Sequence, residues 1–235
     1  MQSQPPFEQS TETAPEAPKP QEPSRGLRVL WWAMVVSTSV LVGLIAAGAF
    51  VVYATKQQAR NLPVYSQIDE FSLTERSGRT VTLSDLSGKV WVANFIYTTC
   101  PTVCPRLTAK MHDVQSFVLA QEAKLGRDAN VRLVSFTVDP ENDTPEQLAA
   151  YANSYGADPR IWLFLTGSLD EISRAVIEGM KIPFEKRGSE AAIEIMHGEK
   201  FVLVDRAGRI RGYFDADAEG IERLKQTLAA LLDES

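Results

Sequence analysis

Apolar residues along this chain change their spacing several times, and the changes divide it into elements. Between Arg28 and Lys56 no charge occurs for 27 residues. A helix of that length measures about 40 Å, more than the roughly 30 Å hydrocarbon core of a bilayer requires. The pattern predicts a transmembrane anchor over residues 27–55, with the uncharged stretch 29–55 in the membrane. Trp31, Trp32 and Tyr53 stand near its ends, where amphipathic rings favour the interface. A cleaved signal peptide is the competing reading, because AAGA at 46–49 offers small residues. Signal peptides carry only about 7 to 15 apolar residues, whereas this run continues through FVVYA, so the anchor is the expectation.

Beyond the anchor, strand-like and helix-like patterns alternate. IDEFSLTERSGRTVTLSDL predicts a hairpin turning at Ser77-Gly78. VWVANFIY at 90–97 is too uniformly apolar for a half-exposed strand and belongs at the centre of a sheet. RLTAKMHDVQSFVLAQEAK at 106–124 predicts an amphipathic helix with Leu107, Met111, Val114 and Val118 toward the core. VRLVSFTV at 131–138 reads as a second buried strand. In DTPEQLAAYANSYG, Thr144 caps a helix, Pro145 takes its first position and Gln147 completes a capping box. IWLFLTG, SLDEISRAVIEGM, a hairpin in KFVLVDRAGRIRGYFD turning at Ala207-Gly208, and a closing helix AEGIERLKQTLAALLDE follow. This order implies an α/β fold with a central mixed sheet flanked by helices, and with cysteines entering the first main helix it resembles the thioredoxin fold.

Composition sharpens the boundaries. Residues 1–26 are rich in Pro, Glu, Gln, Ser and Thr and read as a disordered tail, leaving 56–235 as one thioredoxin-like domain. Lys19, Arg25 and Arg28 precede the span against Lys56 and Arg60 after it. That small bias predicts a single-pass inner-membrane protein with a cytoplasmic N-terminus and a periplasmic domain. Four acids and three bases lie ahead of residue 56, leaving 26 acidic and 21 basic residues in the domain. A net charge near −5 gives no basic footprint for nucleic acid. The chain's 2 cysteines cannot build a disulfide framework, so their proximity points to redox or metal chemistry.

Both cysteines fall in IYTTCPTVCPRLTAKMH, residues 96–112, each followed by proline. A residue before proline avoids the helical region, so neither Cys100 nor Cys104 is expected inside a helix. Pro105 is placed in the first helical turn with Cys104 near its cap. There the helix dipole and unpaired amides favour thiolate, the form that attacks disulfides and binds metals. His112 lies eight residues, about 12 Å of helix, beyond Cys104 and cannot share a coordination sphere with both sulfurs. His197 stands in a loop that can be brought over the sheet end, although a lone histidine there more often serves the loop or its packing. Met196 reads as core.

FIYTTCPTVCP at 95–105, TVDPENDTPEQL at 137–148 and the histidine before KFVLVDRAGRIRG together resemble the Sco/SenC family of membrane-anchored, thioredoxin-fold proteins. The resemblance spans nearly all of residues 60–233. It implies copper, as Cu(I), Cu(II) or both, held by Cys100, Cys104 and His197. It further implies a metallochaperone that helps assemble the binuclear copper centre of cytochrome c oxidase. The implied partners are the oxidase subunit carrying that centre and other periplasmic copper chaperones or thiol reductants. Asp139 corresponds to a family acid near the copper; a turn residue before Pro140 is the alternative, and both readings stand. Thr102, often acidic in the family, and the IMHG surroundings of His197 depart from the pattern without touching the ligands. Two further activities fit the same residues: a thiol-disulfide reductase using Cys100 and Cys104 as a redox pair, and, on fold resemblance alone, a thiol peroxidase.

Overall fold

The computed structural model describes residues 25–60, 62–183, 185–187, 192–194 and 199–233. Most of the expected tail, Met196 and His197 therefore lie outside the described residues. The chain divides into two units, residues 1–51 and 52–235.

Helix α1 begins at Arg25 and continues to Arg60, and its residues up to Val51 fall in the first unit. Its segment Val29–Val51 has a mean hydropathy of 2.2 and none of it is buried by protein, so by length and composition it is a candidate membrane anchor. Two of its hydroxyls are satisfied within the helix. Thr38 Oγ1 donates to the Met34 carbonyl at 2.9 Å and Ser39 Oγ to that of Val35 at 2.7 Å, leaving neither polar group to be solvated from outside.

The second unit is built on a mixed sheet of eight strands. In chain order these are β1 (Ser66–Gln67), β2 (Ser72–Glu75), β3 (Thr80–Thr82), β4 (Val90–Ile96), β5 (Val131–Thr137), β6 (Trp162–Thr166), β9 (Lys200–Val204) and β10 (Arg209–Asp215). Across the sheet they run β1-β10-β9-β4-β5-β6-β2-β3. β4, β5 and β6 are parallel, and β9 lies antiparallel to β4. All seven residues of β4 are buried, as its apolar run predicts. The polar exception, Asn94, is held by a line across three strands: Trp162 Nε1 donates to Ser135 Oγ at 2.9 Å, and Ser135 Oγ to Asn94 Oδ1 at 2.7 Å. A short hairpin of β7 (Glu185–Arg187) and β8 (Ala192–Glu194) stands apart from the sheet.

Helices cover both faces. Against one pack α3 (Val103–Leu125), α4 (Pro145–Ser154) and α6 (Ala218–Asp233), whose buried residues join Val92, Ile96 and Leu133. Against the other pack α2 (Leu83–Leu86), α5 (Leu169–Ser173) and a π-helical turn, Arg174–Gly179, around Trp91, Phe95 and Phe136. This is the thioredoxin-like arrangement expected. The stripe Leu107, Met111, Val114, Val118 is buried as its spacing requires, and Cys104 extends it one turn toward the helix start.

Several local expectations need correction. α3 starts at Val103 with Thr102 as its cap, so Cys104, expected near the cap and outside the helix, sits inside the first turn. Pro105 is tolerated there because first-turn amides have no intrahelical acceptor and the carbonyl four residues back, on Pro101, is outside the helix. At α4, Thr144 Oγ1 accepts from the Gln147 amide at 3.3 Å, but the Thr144 amide goes to the Asn142 carbonyl at 3.1 Å, so the capping box is half formed. The third helix is not regular throughout, ending in the π-helical turn. β1, α2 and the β7–β8 hairpin were not anticipated.

A buried ion pair ties the domain's entrance to the sheet. Asp205, at the β9–β10 turn, accepts from Arg211 Nη1 at 2.9 Å, while Arg211 also donates to the Leu62 and Pro63 carbonyls at 3.0 and 3.2 Å. Burial opposes ionisation of Asp205. Hydrogen bonds from the Arg209 side chain and amide, Arg211 and the Ala207 amide outweigh it and hold the carboxyl below its ordinary range. With the folded value depressed, the contribution is complete above about pH 3.9 and is lost as pH falls through the folded value. Asp205→Ala leaves Arg211 buried without its counter-charge and is expected to cost about 3–5 kcal/mol in urea unfolding. Asp205→Asn should flatten the acid limb of the stability profile measured by thermal melts below about pH 4.

Candidate metal centre

The parallel pairing of β4 with β5 runs in register from Val90↔Val131 to Ile96↔Thr137, and the Val138 amide extends it to the Ile96 carbonyl at 2.9 Å. Both strands therefore end side by side. Residues 97–104 follow β4 and 138–143 follow β5, at the carboxyl ends of these central strands, where ligand sites of α/β folds gather.

Past β4 the chain turns at once, with the Cys100 amide donating to the Tyr97 carbonyl at 3.3 Å. α3 then starts behind Thr102, whose side chain makes no capping hydrogen bond. The acceptor is supplied by sulfur instead: the Cys104 amide donates to Cys100 Sγ at 3.3 Å. A thiol thus stands where a serine or threonine oxygen commonly serves. Cys100 retains 8% exposure and Cys104 only 1%, because Cys104 lies on the core stripe of α3.

That difference in setting separates the two thiols. For Cys100, burial disfavours the thiolate, but donors from the Cys104 and Thr102 amides and from the Cys104 and Tyr97 side chains prevail, and its pKa falls below the ordinary value. For Cys104, burial dominates and pushes the pKa far up; a donor from the Tyr97 backbone opposes this, while the charges of Cys100 and Asp143 add to it. Burial, reinforced by Cys100, pushes the Tyr97 phenol up to about 12, so it remains a neutral donor at neutral pH.

The turn after β5 faces the same place. Asp139 is 4% exposed and organises that turn: its carbonyl accepts from the amides of Asn142 and Asp143 at 3.1 and 2.9 Å, and its Oδ2 from Asn142 Nδ2 at 2.7 Å. The turn role is thus observed, and the Asp139 charge also reaches Tyr97 and Asp143. Asp143, fully buried, reaches across to the thiol turn. Both of its oxygens lie 3.1 Å from the Thr98 amide, and it accepts from the hydroxyls of Thr98 and Thr137. Burial raises its pKa, while those hydroxyls and the amide favour its charged form.

Sequence reasoning missed Asp143 and Tyr97. DTP reads as a helix entry, and nothing local says that its aspartate closes on a threonine 45 residues earlier. His112, half-buried on α3, has its Nε2 beside Gly156 in the connection from α4 to β6, away from the helix start. Among the described residues no three His, Cys, Asp or Glu converge as a metal-holding group. The sulfurs of Cys100 and Cys104 are the soft donors that the described residues bring together.

Alkylation of the reduced protein should strike Cys100 first, by at least about tenfold over Cys104 near neutral pH, since thiolate fraction and exposure act together. Peptide mass spectrometry of a timed iodoacetamide reaction reads the order; equal rates would contradict the asymmetry.

Comparison with known proteins agrees with this geometry. The SCO1/SenC family model matches residues 59–233. A SCO1 protein homolog of Bacillus subtilis is 36% identical over 149 residues, covering 63% of this chain and 73% of its own. The solved structure of BsSco, described as a member of the Sco family of cytochrome c oxidase assembly proteins with a disulfide switch, superposes with a TM-score of 0.63 at 30% identity, covering 74% of this chain and 98% of its own. Bradyrhizobium japonicum ScoI, solved with copper bound, gives 0.59 at 27% identity, covering 71% and 99%. With a family match over most of its length and the thiol pair at the strand end, the chain belongs to the SCO1/SenC family.

Proposed function

We propose that the protein is an anchored copper carrier whose cargo is held by Cys100, Cys104 and His197 and handed to the copper-centre subunit of cytochrome c oxidase. The observation that carries this reading is the sulfur-capped start of α3, where the Cys100 sulfur in the preceding turn meets the amide of Cys104 in the first helical turn. Two soft sulfurs and an imidazole suit copper in either oxidation state better than hard cations. Reach supports His197 as the third donor. Arg106, two residues after Cys104, pairs with Glu199, two residues after His197, at 2.7 Å. Two residues of extended chain span at most about 7 Å.

In this reading residues 27–55 anchor the chain and 56–235 form the carrier domain, periplasmic with the N-terminus cytoplasmic. Three donors leave copper open to a further ligand, so an incoming oxidase side chain can join before the protein's own sulfurs leave. Cys100, the more exposed thiol, is the one a partner reaches first. Asp139 keeps the neighbouring turn in place and adds negative charge near the cargo.

A second reading is favoured by the unequal thiols. A depressed Cys100 beside a raised Cys104 suits an attacking thiolate and its resolving partner, as in a reductase that prepares the oxidase cysteines for metal.

Copper titration of the reduced full chain in detergent separates the two. Cu(II) should produce a sulfur-to-copper charge-transfer band, lost in Cys100→Ser and Cys104→Ser. His197→Ala should weaken binding at least about tenfold, as loss of even outer-sphere support does. Binding should also fall with acid, because thiols must shed protons to coordinate. No band, together with rapid reduction of an oxidised target peptide unaffected by His197→Ala, would establish the reductase instead.

A further inference from the structure

We propose that Asp143 is the positioning residue of the thiol pair, a buried carboxylate that fixes where Cys100 sulfur stands. The inference concerns the site just described and takes its purpose from that reading, but its geometry is independent of metal. Asp143 is completely buried, a costly place for a carboxylate unless donors surround it. Its donors come from two elements: the amide and hydroxyl of Thr98 from the thiol turn, and the hydroxyl of Thr137 from the end of β5.

Asp143 is itself held. Its amide donates to the Asp139 carbonyl at 2.9 Å, and the Asp139 amide donates to Thr137 Oγ1 at 3.0 Å. From Thr98 to Cys100 the chain has no slack, because the Cys100 amide closes a tight turn on the Tyr97 carbonyl at 3.3 Å. Fixing the amide and side chain of Thr98 therefore fixes the turn, and the turn presents Cys100 Sγ to the Cys104 amide. A neutral acceptor in place of Asp143 offers a single oxygen. The carboxylate offers two, enough to take both Thr98 donors and Thr137 at once.

The position of one thiol against the other is read without metal by equilibrium with glutathione. Two cysteine thiols become one disulfide while one oxidised glutathione becomes two reduced, so the constant measures how well the two sulfurs are presented to each other. In the full chain, Asp143→Asn and Thr98→Val are each expected to lower that constant about tenfold, the scale of one charge-assisted hydrogen bond. Thr98→Ser keeps both donors and should restore it to within about twofold of wild type, a margin well inside that scale. Ser135→Ala, which breaks a buried hydrogen-bonded line elsewhere in the sheet, supplies the control for stability alone. It should lower Tm yet leave the constant in place.

The proposal is overturned if Ser135→Ala shifts the constant as much as Thr98→Val at equal loss of Tm, or if Asp143→Asn shifts nothing. Should Asp143→Asn fail to fold, Thr98→Val against Thr98→Ser decides. A chain that binds no copper but shows the expected glutathione pattern refutes the carrier reading and leaves this one standing.

Discussion

Seven consecutive residues of β4 pair in parallel with seven of β5, and the chemistry at their ends depends on that register. In parallel strands a shift of one residue would turn every side chain to the opposite face. Here β4 is buried on both faces, so such a shift would exchange Trp91 and Phe95 for Val92 and Ile96 in two differently shaped cores. The register is thus specified by packing far from the site. Its outcome is that Ile96 and Thr137 finish level, and the two turns that follow meet.

Where those turns meet, burial and hydrogen bonding are set against each other. Cys104 is buried because it continues a helical stripe of core residues, and that burial keeps its proton on. Cys100 is four residues away yet faces the amides at the helix start, and those donors favour its thiolate. One short segment thereby carries two sulfurs of opposite tendency. The spacing follows from the fold: a strand, a tight turn and a helix whose first turn is already in the core.

Much of this is legible in the residues themselves. The apolar run 90–97 marks its strand because only a doubly covered strand has no polar face, and Leu107, Met111, Val114 and Val118 mark theirs by helical spacing. Cys100 and Cys104 stand out by sparsity and by their prolines. What escapes is tertiary. Pro105 is rightly read into the first helical turn, but its effect on Cys104 is overestimated: a residue before proline is still accepted inside that turn, where Cys104 continues the core stripe. Asp143 reads as part of a helix entry because its partner Thr98 is distant in sequence. EKRGSEAAIE carries too few large apolar residues to predict the β7–β8 hairpin. His197, named from the family resemblance, lies outside the described residues.

The sulfur at the start of α3 has one more consequence. An ionised sulfur accepts an amide well and has lone pairs left for a metal, whereas a disulfide sulfur is uncharged and accepts poorly. Oxidation of Cys100 therefore withdraws the acceptor from the Cys104 amide, and Thr102, whose side chain makes no cap, does not replace it. The end of a helix becomes a participant in the electron balance of the pair, setting the reluctance of a buried amide to go unanswered against the larger gain from a fixed turn that holds the two sulfurs toward each other.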